Sequence, residues 1–243
     1  MSAAAGEPRA ILVTGAGRGL GRAIALHLAR PGTLLLLHHH ASSAGGQAVQ
    51  REAEAKGARA VLLAADLADA AARERMMAEA ARHTAVLHVL INGAGIYPER
   101  DLLDFSAAEW QRTFDVTCSA VFHLTQLAVP LLKAGAPSCV VNIGDSGADR
   151  AVAHVAATPY HVAKLGVQVL TRSFAKALGP AGIRVNQVSP GFLENSVGQP
   201  ESPVPLGRLG RFEDILAALD YLLSPGAAYV SGATIVVSGA WNV

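Results

Sequence analysis

The sequence contains few of the residue types that mark several kinds of protein. Only two of its 243 residues are cysteine, Cys118 and Cys139, each within an apolar segment and without metal-ligand spacing. We expect buried thiols in a reducing compartment rather than a disulfide framework. Charged residues make up 16% and the formal net charge is +1, so no basic face is offered to nucleic acid or an anionic membrane. The hydrophobic share of 51% indicates an extensive core.

Targeting and membrane signals are also lacking. Residues 1–8 are rich in small side chains and have no apolar h-region, so we expect a flexible N-terminus and no secretory signal. We see no apolar stretch that approaches the length of a membrane span. These absences predict a soluble, cytoplasmic protein.

Short apolar runs alternate with amphipathic segments along the whole chain, with no linker between two domains. The predicted strands are Ala10–Val13, Thr33–His38, Ala60–Ala64, Leu87–Ile91, Cys139–Ile143, Arg184–Val188 and Thr234–Val237. The predicted helices are Gly19–Arg30, Ala44–Lys56, Ala70–His83, Ala107–Leu132, Pro159–Leu178 and Phe212–Leu223. Strands this apolar suit a parallel sheet that is covered on both faces. We therefore predict a single α/β domain over residues 1–243, a Rossmann-type doubly wound parallel sheet of about seven strands.

The segment 192–211 is the least regular part of the chain. Its prolines, Pro200, Pro203 and Pro205, oppose a continuous helix. It follows the sixth predicted strand, and ligands of open α/β sheets bind beyond the carboxyl ends of strands. It is therefore expected to be a substrate-side loop, with a plain connector as the alternative.

A glycine-rich turn separates the first predicted strand from the first predicted helix. It reads Thr14-Gly15-Ala16-Gly17-Arg18-Gly19-Leu20-Gly21. Gly15 can form a tight turn, Gly19 permits backbone approach to a pyrophosphate, and Gly21 allows close helix–strand packing. The N–H groups and the dipole of the helix N-terminus attract phosphate. The context favours a dinucleotide site at Gly15, Arg18, Gly19 and Leu20.

The end of the second predicted strand indicates which nicotinamide cofactor binds. It reads His38-His39-His40-Ala41-Ser42-Ser43, without the acid that would bind the ribose hydroxyls of NAD. Arg18 can meet a 2′-phosphate, with His40, Ser42 and Ser43 as hydrogen-bond donors, so we predict NADP(H). Consecutive strand residues point to alternate faces, so three histidines do not converge on a metal and none is expected.

Two more segments lie at strand ends on the cofactor side. Asp66, with Leu67 beside it, could contact the adenine or could cap the helix that begins near Asp69. The segment Asn92-Gly93-Ala94-Gly95 lets the backbone approach the cofactor at Asn92 and Ala94, or is simply a turn.

Tyr160 and Lys164 are the candidate catalytic pair. Their spacing of four places them on one helix face. A phenol titrates near pH ~10, and a neighbouring ammonium lowers this pKa by favouring phenolate. The same ammonium can hydrogen-bond a cofactor ribose. The pair predicts proton transfer, although this spacing also occurs by chance on solvated helices.

In combination these motifs resemble the short-chain dehydrogenase/reductase family over almost the whole chain. The matching segments are Thr14–Gly21, Asp66, Asn92–Gly95, Tyr160 with Lys164, Arg184–Asn186 and Ser189–Gly191. The resemblance implies a nicotinamide cofactor that also contacts Pro190 and Gly191, proton transfer by Tyr160 alongside hydride transfer, and usually a homotetramer.

Two positions depart from the family pattern. Asp145 aligns with the usual catalytic serine just beyond the fifth strand, and Ser146 could substitute if the loop shifts. Thr117 stands where the family has the asparagine of its proton relay.

An aspartate in the serine position resembles the pteridine reductases of this family. The histidine-rich strand end is similar to their NADPH-binding segment, and Tyr97 stands where they stack the pterin on the nicotinamide. The segment that contains Phe192 is also similar. This resemblance implies reduction of a C=N bond in a dihydropterin or dihydrofolate, with Tyr160 as proton donor, Asp145 assisting, and Tyr97 and Phe192 on the substrate side.

Two other functions stay open. Carbonyl–alcohol exchange, as in 3-oxoacyl carrier-protein reductases, would give the serine role to Ser146. A non-catalytic dinucleotide-binding regulator would explain the loss of both serine and asparagine, although Tyr160 and Lys164 favour an enzyme. Asp145 could also merely cap a turn, and Tyr97 could pack as core.

Overall fold

The computed structural model describes residues 9–40, 43–198, 200 and 202–241. Seven parallel strands form one sheet in the order β3-β2-β1-β4-β5-β6-β7. The strands are β1 Arg9–Val13, β2 Thr33–His39, β3 Arg59–Ala64, β4 Val89–Asn92, β5 Ser138–Ile143, β6 Ile183–Pro190 and β7 Thr234–Val237. The predicted doubly wound sheet is confirmed. The expected flexibility of residues 1–8 and the predicted cofactor contact of Ser42 lie outside the described residues.

Helices cover both faces of the sheet because every inner strand is apolar on both sides. The helices are α1 Gly19–Leu28, α2 Ser43–Ala55, α3 Ala70–His83, α4 Ala107–Phe114, α5 Ala120–Ala134, α6 Thr158–Leu178 and α7 Phe212–Leu223. In β2, Leu35 and Leu37 join the core under α1 and α7, whereas Leu34 and Leu36 join the core under α3 and α5. Each buried leucine contributes about 1.5–3 kcal/mol of transfer free energy, so this alternation fixes the register of the strand.

The helix predicted over Ala107–Leu132 is not continuous. A π-helical turn over Asp115–Ser119 separates α4 from α5, and the N–H of Ala120 donates to the carbonyl oxygen of Asp115. Such a turn inserts one residue into the helix, which apolar periodicity does not reveal. Thr117 lies in this turn, is buried, and its hydroxyl accepts from the N–H of Ile96 at 3.4 Å.

The same helical stretch corrects the expectation about membrane-length segments. Ala107–Ala134 is long and apolar enough to cross a membrane by length and composition, and half of its most apolar window is buried inside the protein. Leu124, Ala128 and Leu132 of this stretch belong to the core beside the sheet. Its apolar character therefore has a packing explanation within the fold.

The two cysteines are free and buried, as the sequence predicts. Burial raises the pKa of Cys118 to about 11 and raises that of Cys139 as well. Both thiols are therefore protonated and unreactive at neutral pH.

Helix α1 begins directly against the turn that follows β1. Gly15 adopts a φ of +71°, a left-handed conformation that a glycine enters without steric strain. Gly21 lies so close to this turn that an added Cβ would be 2.2 Å from the carbonyl oxygen of Gly15. The glycine spacing thus sets how closely the helix N-terminus approaches the sheet.

We expect Gly21→Ala to lower the free energy of unfolding by about 1–3 kcal/mol, because the new methyl group must displace the turn. Urea unfolding measures the loss. Gly179→Ala is the matched control, since a Cβ there meets nothing within 4 Å. Equal stability of the two variants would contradict the close packing described above.

Candidate active site

Two cavities open at the carboxyl ends of the strands. The first, of about 550 Å³, lies over the glycine turn and is called the glycine-turn cavity. The second, of about 600 Å³, contains Asp145 and Tyr160 and is called the tyrosine cavity. Lys164 connects the two: its ammonium nitrogen is 5.6 Å from the ring centre of Tyr160, and it would lie 3.7 Å from a Cβ placed on Gly95, which lines the first cavity.

Most predicted cofactor residues are brought together in the glycine-turn cavity. Its lining includes Gly15, Arg18, Gly19, Leu20, His40, Asp66, Leu67 and Ala94. Pro190 and Gly191 line the tyrosine cavity instead.

The side chain of Asn92 is buried, because the residue is only 3% exposed, and its amide donates to Asn142 at 2.8 Å and to Thr125 at 3.2 Å. The side-chain amide of Asn92 is therefore engaged inside the sheet layer, and the approach of its backbone to the cofactor stays a prediction.

His38 holds the glycine turn in place. Its Nδ1 accepts from the N–H of Gly15 at 3.0 Å, and its Nε2 lies 3.1 Å from the carbonyl oxygen of Ala65. Since a carbonyl only accepts, Nε2 carries the proton and the ring is neutral. Burial lowers the pKa of His38 to about 4, which keeps it neutral. The sequence did not predict this role, for which the only signal was a polar residue at the end of a buried strand.

Asp66 lies against Arg112 and His40 at the edge of the glycine-turn cavity. Arg112 of α4 reaches one carboxylate oxygen at 3.0 Å, and His40 lies 3.6 Å from the same oxygen. A hydrogen bond from the N–H of Ala68, followed by that from Arg112, lowers the pKa of Asp66. The alternative that Asp66 caps the next helix is wrong, because Asp69 occupies the N-cap of α3.

Arg112 was not predicted from the sequence. It lines the glycine-turn cavity although it lies 46 residues beyond Asp66.

No group of three or more His, Cys, Asp or Glu side chains among residues 9–40, 43–198, 200 and 202–241 is arranged to hold a metal ion.

Tyr160 and Asp145 form the central contact of the tyrosine cavity. The phenol of Tyr160 donates to Oδ2 of Asp145 at 2.9 Å. Oδ1 of Asp145 accepts from the N–H of Gly147 at 2.8 Å. The carboxylate therefore caps its own turn with one oxygen and accepts the hydrogen bond of the phenol with the other, and its assistance in proton transfer stays a prediction.

The electrostatics of Tyr160 correct the sequence-based expectation. Burial raises the pKa of Tyr160 well above its ordinary value, and the charge and hydrogen bond of Asp145 raise it further. The prediction that Lys164 lowers this pKa is wrong here, because the phenol donates to a carboxylate while the Lys164 ammonium donates to the carbonyl oxygen of Ile143 at 2.6 Å. Tyr160 is therefore a protonated phenol at neutral pH.

Ser146 stands next to Asp145 but does not replace it in this contact. Its side chain is 1% exposed, and its N–H donates to the carbonyl oxygen of Pro190 at 2.9 Å. The phenol of Tyr160 donates to Asp145, which occupies the position of the usual serine.

Aromatic rings line the substrate side of the tyrosine cavity. Tyr97 is 44% exposed and contacts the Tyr160 ring edge-on, with ring centres 5.0 Å apart, so it is not a core residue. Phe192 also lines the cavity, as predicted, and packs edge-on against Trp241. The cavity is also lined by Trp241, His154 and His161. The sequence did not predict these three residues, because no local pattern connects them to Tyr160.

Comparison with known proteins agrees with this geometry. The family described as enoyl-(acyl carrier protein) reductase matches residues 15–242. The chain belongs to the short-chain dehydrogenase/reductase family. A 3-oxoacyl-[acyl-carrier-protein] reductase of Staphylococcus aureus is 34% identical over 240 residues, which cover 95% of this chain and 97% of the relative.

Two further relatives extend the comparison. An L-rhamnose 1-dehydrogenase (NAD(P)(+)) of Sphingomonas sp. is 32% identical, with 98% of this chain and 97% of the relative covered. The crystal structure of a short-chain dehydrogenase from Burkholderia cenocepacia in complex with NADP has a TM-score of 0.88 at 28% identity, covering 98% of this chain and 99% of that one. As a family member over nearly its full length, the chain is an oxidoreductase.

The buried ammonium of Lys164 predicts a pH-dependent stability. Burial lowers the pKa of Lys164 from 10.5 to about 8, so between these values the unfolded chain binds more protons and the free energy of unfolding rises with pH. We expect Lys164→Met to remove this dependence. Its stability gain relative to the wild type should be largest below about pH 8 and should shrink towards pH 10.5.

Urea unfolding across this pH range measures the difference. Lys133→Met, which removes an exposed lysine at the end of α5, is the control and should show no such trend. A difference between Lys164→Met and the wild type that stays constant with pH would contradict the burial of a charged lysine.

Proposed function

We propose that this protein is an NADP(H)-dependent reductase that adds hydride and a proton across a polarised double bond. The hydrogen bond from Tyr160 to Asp145 is the observation that carries the proposal. Reduction consumes a proton, and the phenol of Tyr160 carries one at neutral pH, because burial and Asp145 raise its pKa. Tyr160 is the proton donor, and the carboxylate of Asp145 orients its hydroxyl.

The glycine-turn cavity fits a dinucleotide. The N-terminus of α1 opens into it, and a Cβ on Gly19 would meet nothing within 4 Å, which leaves room for a pyrophosphate. Arg18 and His40 are the residues that hold the 2′-phosphate, and Asp66 is held by Arg112 where the adenine would lie. When bound, NADPH supplies the hydride. Lys164 binds the nicotinamide ribose from the wall between the two cavities.

The substrate that best fits the Tyr160–Asp145 pair is a flat heterocycle with a C=N bond, such as a dihydropterin or dihydrofolate. An ionised carboxylate cannot donate a hydrogen bond to a developing oxyanion, so Asp145 is a poor substitute for a serine in ketone reduction. Tyr160 gives its proton to the ring nitrogen as the neighbouring carbon takes the hydride. Tyr97 packs against the ring, an arrangement worth about 1 kcal/mol beyond burial.

Carbonyl reduction is the second candidate, and similarity to a 3-oxoacyl-[acyl-carrier-protein] reductase at 34% identity favours it. Tyr160 would then protonate the carbonyl oxygen, and Ser146 would supply the hydroxyl after a shift of its loop. In both cases the segment 192–211 forms the substrate-side loop. We further propose a cytoplasmic homo-oligomer, most simply a tetramer, on the family resemblance.

Replacement of the Asp145 carboxylate by an amide distinguishes reduction of a C=N bond from reduction of a carbonyl. We expect Asp145→Asn to lower kcat by about 10²-fold, because the amide no longer offers a charged acceptor to Tyr160, and Ser146→Ala to change it by less than about twofold. The loss of NADPH absorbance with dihydrobiopterin, dihydrofolate and a 3-oxoacyl thioester measures both.

The opposite ranking of these variants would select carbonyl reduction with Ser146. Tyr160→Phe tests the enzymatic assignment itself. Unchanged turnover of this variant with every substrate would refute proton transfer by the phenol.

Preference for the phosphorylated cofactor should depend on Arg18. We expect Arg18→Ala to raise KM for NADPH by about tenfold and to leave KM for NADH nearly unchanged, since only the former carries the 2′-phosphate. Steady-state kinetics with both cofactors measure this. Arg51→Ala, an exposed arginine on α2, is the control, and an equal effect of Arg18→Ala on both cofactors would exclude this role.

A further inference from the structure

Four of the twelve aromatic side chains of this chain line one cavity. Aromatic residues are only 5% of the sequence, yet Tyr97, Tyr160, Phe192 and Trp241 all line the tyrosine cavity. Two imidazoles add to this lining, because His154 and His161 stack with ring centres 3.6 Å apart and planes only 7° from parallel. A cavity walled by flat rings suits a flat ligand.

Trp241 reaches the cavity through a tight left-handed turn after β7. Gly239 and Ala240 have φ values of 61° and 65°. The left-handed conformation of a non-glycine residue costs about 1–2 kcal/mol, so surrounding contacts must hold Ala240 in place. At Gly239 a Cβ would lie 2.6 Å from Cγ1 of Val204, so this turn is closely packed against Val204 of the segment 192–211.

The turn and that segment together form a single wall of the cavity. The N–H of Leu206 donates to the carbonyl oxygen of Gly239 at 3.2 Å, and that of Gly191 donates to Val237 at 2.9 Å. The rings of Phe192 and Trp241 meet edge-on, with centres 4.7 Å apart and planes at 89°. We call these two rings the aromatic wall. The two rings pack against each other and together form one boundary of the tyrosine cavity.

The aromatic wall stands next to the reacting groups. A Cβ on Gly147 would lie 3.8 Å from Cζ3 of Trp241, 3.1 Å from Oδ1 of Asp145 and 4.0 Å from Cε1 of His161. The indole therefore packs close to the turn that positions Asp145. A substrate whose reacting bond meets Tyr160 must fit between this indole and the rings of Tyr97 and His161.

We propose that Trp241 is a specificity-determining residue of the substrate site, which makes the cavity accept a compact planar ring and reject an extended acyl chain. The inference rests on the proposed reductase function. It assigns to the aromatic wall the choice between the two substrate classes considered above. Phe192 acts with Trp241 by keeping the indole edge turned into the cavity.

Kinetics of Trp241→Ala test the selection. The ratio of kcat/KM for dihydrobiopterin to kcat/KM for a 3-oxoacyl thioester should fall by about tenfold or more, because the ring loses a packing surface and the chain gains space. Trp110→Ala removes the other tryptophan, on α4 outside the cavity lining, and should leave the ratio unchanged. A ratio that changes by less than about twofold in Trp241→Ala would overturn the proposal. If this variant does not fold, Trp241→Phe takes its place, with a shift in the same direction.

Fluorescence provides a readout that needs no turnover. Trp110→Phe leaves Trp241 as the only tryptophan, and Trp241→Phe leaves Trp110. Titration of the NADP⁺ complexes with oxidised biopterin should quench the first variant saturably and the second much less. Absence of this difference would overturn the role of Trp241 even in an active enzyme. If none of the tested substrates causes the wild type to oxidise NADPH, the reductase proposal fails. The titration still decides whether a flat ring lies against Trp241.

Discussion

The hydrogen bond between the phenol of Tyr160 and the carboxylate of Asp145 is the interaction on which the site depends. It joins helix α6 to the turn after β5. Burial and the carboxylate partner both raise the pKa of Tyr160, so the phenol carries at neutral pH the proton that a reduction requires.

The rest of the molecule holds that contact by burying polar groups in pairs. Lys164 donates to the carbonyl oxygen of Ile143 at the end of β5. Asn142 of the same strand accepts from Asn92 and donates to Thr171 of α6 at 2.8 Å. A buried polar group without a partner is strongly destabilising, so these bonds fix α6 against the sheet and set the position of Tyr160.

Local sequence patterns predicted most of the strands and helices and about half of the residues that line the site. The glycine turn, the Tyr160–Lys164 spacing and the aspartate at position 145 are short-range signals, and the structure brings their residues into two adjoining cavities. The π-helical turn over Asp115–Ser119 was not predicted, because one inserted residue barely alters the periodicity of the apolar residues. The pKa of Tyr160 was predicted in the wrong direction, because the hydrogen-bond partner of a phenol depends on which groups meet in space.

The sequence by itself determined the parallel sheet, the succession of strands and helices along the chain, and the family. The periodicity of apolar residues and the spacing of glycines are properties of neighbouring residues, which a sequence displays directly. Tertiary structure alone decided that Arg112 and His40 lie against Asp66, that His38 fixes the glycine turn, and that Trp241 packs against Phe192 on one wall of the tyrosine cavity. These contacts join residues as far as 49 positions apart, from Phe192 to Trp241. Only the packing of distant elements around the carboxyl ends of the strands creates them.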